Sequence, residues 1–236
     1  MSGLTQQLQS SMKENMKLLV SASIKFLMGF VLVGLLLFLP AGTIHYPGGW
    51  LLMAVLFVPM FVAGVVMLLR SPELLKKRLD AKEKESEQRS VVAMSGVMFI
   101  AAFVVAGFNF RYSWTVAPSW LVYGATALFL LSYLMYAEVL RENAYLSRTI
   151  DVQENQMLVD TGLYAIVRHP MYSATILLFL SMPLVLGSLP SFVVMLAYLP
   201  IIAKRIRNEE AVLLKGLTGY ESYSKRVKYR ILPFVW

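Results

Sequence analysis

Residues 50–69, "WLLMAVLFVPMFVAGVVMLL", run for twenty positions without a charge. About 20 apolar residues cross the hydrocarbon core of a bilayer as a helix, and a helix satisfies its own backbone where no water can. Stretches 26–39, 91–108 and 120–140 have the same character. The first is short unless it extends back through Lys25 to Leu18, with the lysine stem lying along apolar surface and its ammonium at the headgroups. Lys13 and Lys17 precede it, as in a signal peptide, but "FLPAGT" lacks a small-x-small cleavage site. It reads as a retained helix.

Two later apolar runs, 171–187 and 191–203, are separated only by "SLP". As helices they reach about 25 Å and about 20 Å. Pro183, Pro190 and Pro200 interrupt them, which predicts a tilted, kinked hairpin rather than two straight spans. The expected fold is all-α: a polytopic membrane bundle of about five or six transmembrane segments, with cytoplasmic helices at its C-terminal end.

Composition agrees. Of 236 residues 58% are hydrophobic and 15% charged, more apolar than a soluble core of this size needs. A net charge of +8 raises the question of nucleic acid, and its distribution answers it. Seven Lys/Arg lie in 70–89, three in 141–168 and eight from Lys204 onward, whereas the connections 40–49, 109–119 and 188–190 hold only Arg111. That asymmetry predicts both termini and the large polar segments in the cytoplasm. The basic residues then face anionic headgroups, so membrane lipids are expected partners and nucleic acid is not. The polar stretch 70–90 mixes both signs and reads as a solvated cytoplasmic helix or loop. With no cysteine and only His45 and His169, thiol chemistry is excluded and no metal site is expected.

No G-x-G, P-loop, H-E-x-x-H or G-x-S-x-G occurs. A Rossmann cofactor site and the glycine loop of soluble methyltransferases are therefore absent. The candidates for chemistry lie in the last third. In "VDTGLYAIVRHPMY" a turn at Asp160–Gly162 leads to Arg168, His169 and Pro170. Pro170 suits the first turn of a helix, whose N–H groups beside His169 would suit a carboxylate or other polar ligand. An interfacial belt of Tyr, Arg and His is the alternative.

In "AKRIRNEEAVLLKGLTGY" read as a helix, Arg205 and Glu209 are i, i+4 neighbours. Ile206, Glu210, Leu213 and Leu217 share the apolar stripe, so Glu210 is expected to face inward. A buried carboxylate needs partners, and the nearest supply is the Arg168–His169 region.

"GLYAIVRHPMY", then a membrane hairpin, then "RIRNEEAVLL" and "YESYSKRV" resemble the isoprenylcysteine carboxyl methyltransferase family. The wider group includes phospholipid N-methyltransferases and is marked by an Arg-His-Pro triplet followed by paired glutamates. The likeness is specific from about Asn143 onward and loose before it. "PELLKKR" at 72–78 and "NAYLSRTIDVQENQMLVDTG" at 143–162 also look like bacterial members, which implies a bacterial or archaeal cell membrane.

The resemblance implies S-adenosylmethionine as cofactor, in a cytoplasm-facing site built by residues 143–236, with 1–142 as the preceding membrane helices. It implies cofactor contacts from Gln153, Gln156, Met157, Leu158, Val159 and Tyr164. His169, Pro170, Met171, Tyr172 and Glu209 complete that set. Arg205 and Arg168 are expected at the substrate. Ala174 stands where members often carry glycine, which implies a slightly narrower pocket.

The expected activity is methyl transfer to a lipophilic or prenylated acceptor, an isoprenylcysteine-like carboxylate first. A carboxylate is ionised at neutral pH and needs no general base; Arg205 would orient it. An amine or thiol would need deprotonation, and Glu210 is the expected base. Alternatives are a phospholipid or small-molecule methyltransferase, a membrane reductase using NADPH, and a non-enzymatic membrane protein.

Overall fold

The computed structural model of the chain describes residues 2–79, 86–143, 145–146, 152 and 156–236. Among these there are nine α-helices and one 3-10 turn. The helices are α1 (Ser2–Ala41), α2 (Pro47–Arg70), α3 (Pro72–Leu79), α4 (Ser86–Tyr112) and α5 (Ser119–Glu142). After the 3-10 turn (Gly162–Ala165) come α6 (Pro170–Val185), α7 (Leu189–Met195), α8 (Tyr198–Gly216) and α9 (Tyr220–Arg226). The fold is a polytopic helical membrane bundle, as the apolar runs predict.

Five stretches are long and apolar enough to cross a bilayer: Met16–Ala41, Pro47–Arg70, Arg89–Tyr112, Ser119–Glu142 and Leu189–Gly216, the last formed by α7 and α8 together. Their outer surfaces are apolar, with Val31, Leu39, Phe61, Val97 and Leu134 exposed. Lipid, not water, is the solvent for which such a surface is built. Trp50, Tyr112, Trp114, Trp120 and Tyr123 are exposed at the end that carries the short connections, an aromatic belt at headgroup level.

The first span extends back beyond Leu18, as its length required. The Lys25 ammonium donates to the Leu79 carbonyl (2.6 Å) and so caps α3. Helix α3 is not merely solvated. Its Leu75 is buried, and Arg78 lies over the Tyr136 ring of α5, 5.4 Å from its centre.

Helix α6 is the axis of the bundle. It is apolar all round, and most of its side chains, from Pro170 to Val185, are buried. A helix without a polar face belongs inside. It packs against α2, α4, α5, α7 and α8. One core cluster joins Leu37, Leu52, Phe57, Phe103, Phe129 and Leu178; a second joins Val91, Met98, Ile176, Met195, Tyr198 and Ile206. Where α4 crosses α1 the backbones nearly touch. A β-carbon at Gly107 would stand 2.7 Å from the Leu37 carbonyl oxygen and 2.9 Å from the Pro40 side chain, so only glycine fits.

The kinked hairpin is present. Beyond α6 the chain turns at Gly187, and the Ser188 hydroxyl accepts from the Ser191 amide (3.3 Å) to start α7. The break between α7 and α8 at 196–197 lies one turn before Pro200. Proline has no N–H to give residue 196, and its ring crowds that carbonyl. The other arm of the hairpin, α6, is anchored at its C-terminal end by Tyr46, whose hydroxyl donates to the Leu186 carbonyl (2.8 Å).

Candidate active site

The site begins where α5 ends. Asn143 donates to the Tyr164 hydroxyl (3.0 Å), and its own side-chain oxygen accepts from the Tyr145 amide (3.0 Å). The Glu142 carboxylate accepts from the Leu163 amide at 3.0 Å, which turns the chain into the 3-10 segment. Gly162 makes that turn at φ +53, and a β-carbon there would sit 1.4 Å from a Glu142 oxygen. Tyr164 is buried and its backbone carbonyl accepts from the Tyr223 hydroxyl (2.7 Å). Burial pushes the Tyr164 phenol up to about 12, so it stays protonated.

Arg168 and His169 come next, held by the C-terminal tail as by a neighbouring strand. The Arg168 amide donates to the Tyr229 carbonyl (2.9 Å) and the His169 amide to the Arg230 carbonyl (2.8 Å). The Ser173 hydroxyl adds a bond to the Ile231 carbonyl (2.7 Å). Pro170 opens α6 as its position predicts, and the His169 carbonyl accepts from the amides of Tyr172 and Ser173. Those two first-turn amides are therefore engaged, and the helix start offers a ligand less than the sequence suggests.

Glu210 is buried on the inner stripe of α8, as its register requires. One oxygen accepts from Arg168 Nε (2.7 Å) and lies 3.3 Å from His169 Nε2; the other accepts from Arg230 Nε (2.8 Å). With two guanidinium groups and an imidazole on its lone pairs, it is a poor candidate for the base expected of it. Arg168 also falls short of the substrate role. Its Nη1 donates to the carbonyls of Val227 (2.7 Å), Lys228 (3.0 Å) and Ser224 (3.3 Å). This guanidinium joins the start of α6 to α8 and the tail, and the residue also lines the cleft.

Glu209, one residue earlier, faces outward into a cleft. Its side chain is 23% exposed and accepts from the Tyr172 hydroxyl (2.5 Å). The same hydroxyl accepts from Arg205 Nε (3.0 Å). Tyr172 thus ties a cation and an anion, one turn apart on α8, to the start of α6. His169 Nδ1 lies 4.0 Å from Glu209, so the imidazole stands between the two glutamates.

The cleft measures about 840 Å³ with its open mouth. Gln156, Met157, Leu158 and Val159 form one wall; Tyr164, His169, Met171 and Tyr172 a second; Arg205 and Glu209 a third. The folded chain therefore gathers residues that the sequence separates by up to 53 positions (156 to 209). Pro170 is fully buried and does not line it, and Gln153 lies outside the described residues. Ala174 is buried in α6 away from the lining, so it does not narrow the pocket as expected.

Several lining residues escaped sequence reasoning: Asn143, Tyr145, Val212, Leu213, Leu217 and Tyr220 among them. Val212 and Leu213 follow Glu209 by three and four positions, a helical spacing that could have revealed them. Tyr220 starts α9 and packs 5.7 Å, ring centre to ring centre, from Tyr223. It is 3% exposed, and its hydroxyl has no hydrogen-bond partner among the described residues.

Comparison with known proteins bears on this segment. Over 91 residues the chain is 32% identical to the Delta(14)-sterol reductase TM7SF2 of Mus musculus, a match covering 37% of this chain and 22% of that protein's length. From within α5 through nearly all of α8, residues 124–215 match the isoprenylcysteine carboxyl methyltransferase (ICMT) family.

Proposed function

We propose that this chain is an integral membrane methyltransferase that holds S-adenosylmethionine in the cleft and methylates the carboxylate of an isoprenylcysteine-like lipophilic acceptor. The observation that carries this reading is a pair of opposite charges on one wall. Glu209 and Arg205 share a face of α8 and are joined through the Tyr172 hydroxyl. The match of residues 124–215 to the isoprenylcysteine carboxyl methyltransferase family supports the same reaction class.

The residues fit the cofactor. Small-molecule sites combine apolar walls with a few placed polar groups, and this cleft's lining has both. A carboxylate such as Glu209, set among tyrosines and aliphatic side chains, attracts a cationic sulfonium or ammonium. When bound, S-adenosylmethionine supplies a methyl group already activated by the sulfonium charge. The protein's task is then to hold two partners in near-attack geometry.

Arg205 suits the acceptor. Its guanidinium matches a carboxylate in charge and in planar geometry, whereas a sulfonium would be repelled. An ionised carboxylate needs no base, so the commitment of Glu210 to Arg168 and Arg230 costs the reaction nothing. Glu210 and Arg168 are positioning residues in this scheme; Glu209, His169 and Tyr172 face the ligand. The described residues that line the cleft run from Asn143 onward, which supports residues 143–236 as the cofactor-holding part and 1–142 as the membrane frame. The segments that build the cleft, 143–168 and 204 onward, are rich in lysine and arginine, and we assign that end of the bundle to the cytoplasm.

The identity to a sterol reductase favours a second reading, reduction with NADPH. A dinucleotide with three phosphates asks for a basic site. Among the described residues the cleft's basic side chains besides His169 are Arg168, engaged elsewhere, and Arg205, offset by Glu209. Calorimetric titration of the purified, detergent-solubilised protein with S-adenosylhomocysteine and with NADPH separates the two. Binding of the first, with transfer of labelled methyl to N-acetyl-S-farnesylcysteine, is the expected result. Binding of NADPH alone overturns it.

A further inference from the structure

Tyr220 is the one cleft-lining side chain whose polar atom is both buried and unpartnered among the described residues. Its backbone does not explain this. The Tyr220 amide donates to the Leu217 carbonyl (3.2 Å), and its ring lies in a small core of Leu217, Tyr223 and Val227. Phenylalanine would fill that core equally well. The neighbouring Tyr223 hydroxyl shows what a structural phenol does here, donating to the Tyr164 carbonyl at 2.7 Å. Buried hydroxyls without a partner are rare, since each forfeits hydrogen bonds that water would have made.

We infer that the Tyr220 hydroxyl is a ligand contact, a donor that finds its acceptor only when the cleft is filled. The inference rests on the proposed cofactor reading and adds a residue that lies beyond the family match and has no role among the expected cofactor contacts. Burial, and then Glu210, push the phenol well above its ordinary value, so it remains protonated and offers its proton to an acceptor atom. Carboxylate, ribose and adenine atoms are the acceptors such a cofactor presents.

The test is Tyr220→Phe in the full-length protein, measured beside wild type in the same detergent. Without ligand, its thermal midpoint should equal or exceed that of wild type, because the lost hydroxyl had no partner. Affinity for S-adenosylhomocysteine should fall about three- to tenfold, the range of one hydrogen bond. Titration with 5′-methylthioadenosine, which lacks the amino-acid end, then locates the contact. A shared loss puts it on the nucleoside, and a loss confined to S-adenosylhomocysteine puts it on the carboxylate; either supports the inference. Unchanged affinity for both ligands overturns it, as does a fall in the ligand-free midpoint of several degrees, which would mark a structural hydroxyl. If wild type binds neither ligand, the cofactor reading itself fails, and this inference with it.

Discussion

Arg168 Nε donates to Glu210 at 2.7 Å, across 42 residues of sequence and with both side chains about nine-tenths buried. Removing one partner of such a pair strands a charge, which typically costs about 3–5 kcal/mol. Glu210→Ala should therefore lower the thermal midpoint sharply and reduce the yield of folded protein. The double variant Arg168→Met with Glu210→Met should recover part of that loss. A Glu210→Ala protein as stable as wild type would remove the pin from this account.

Glu209 is predicted to act on the cofactor instead. Glu209→Gln keeps the shape and loses the charge, so the protein should fold normally while S-adenosylmethionine binds at least about tenfold more weakly, or 1.4 kcal/mol. S-adenosylhomocysteine lacks the sulfonium charge and should lose less. Calorimetry with both ligands measures the difference, and equal losses would place Glu209 elsewhere than at the sulfonium. His169→Ala should weaken both, since its imidazole borders the cleft.

Arg205→Lys preserves a positive charge but not the planar fork. Turnover should fall about tenfold, or 1.4 kcal/mol at the transition state, with near-normal cofactor affinity. Arg205→Ala should fall further. Loss of cofactor binding in a folded Arg205→Ala protein would mean that this guanidinium serves the cofactor.

Gly162→Ala tests the turn that sets Tyr164 in place. The added methyl meets the Glu142 carboxylate, and φ +53 is strained for any L side chain. The carboxylate must leave the Leu163 amide, so both stability and cofactor affinity should drop. Limited proteolysis should cut the variant between 156 and 164 faster than wild type.

Reporter fusions at Leu4 and Trp236 should both report the cytoplasm, as the distribution of lysine and arginine requires. With five long apolar stretches, termini on one side require α6 as a sixth crossing, and signals from opposite sides would mean that α6 does not cross.

Much of this molecule follows from local terms. Twenty apolar residues make a membrane helix wherever they stand, because burial in lipid is summed over a short window. Pro170 starts a helix because its ring sets φ and it lacks an N–H. Glu210 turns inward because helical register puts it in line with Ile206 and Leu213. What these rules leave open is the choice of partner. A guanidinium is the same group whether it binds a substrate or a structural carboxylate. Arg168 became a pin only when folding brought Glu210 and the carbonyls of Val227 and Lys228 to it. The same holds for Ala174, which the orientation of α6 turns into the core, and for Tyr220, whose hydroxyl is left without a partner. Contacts across 40 or more residues depend on the packing of the whole bundle around α6, and no window of sequence contains that.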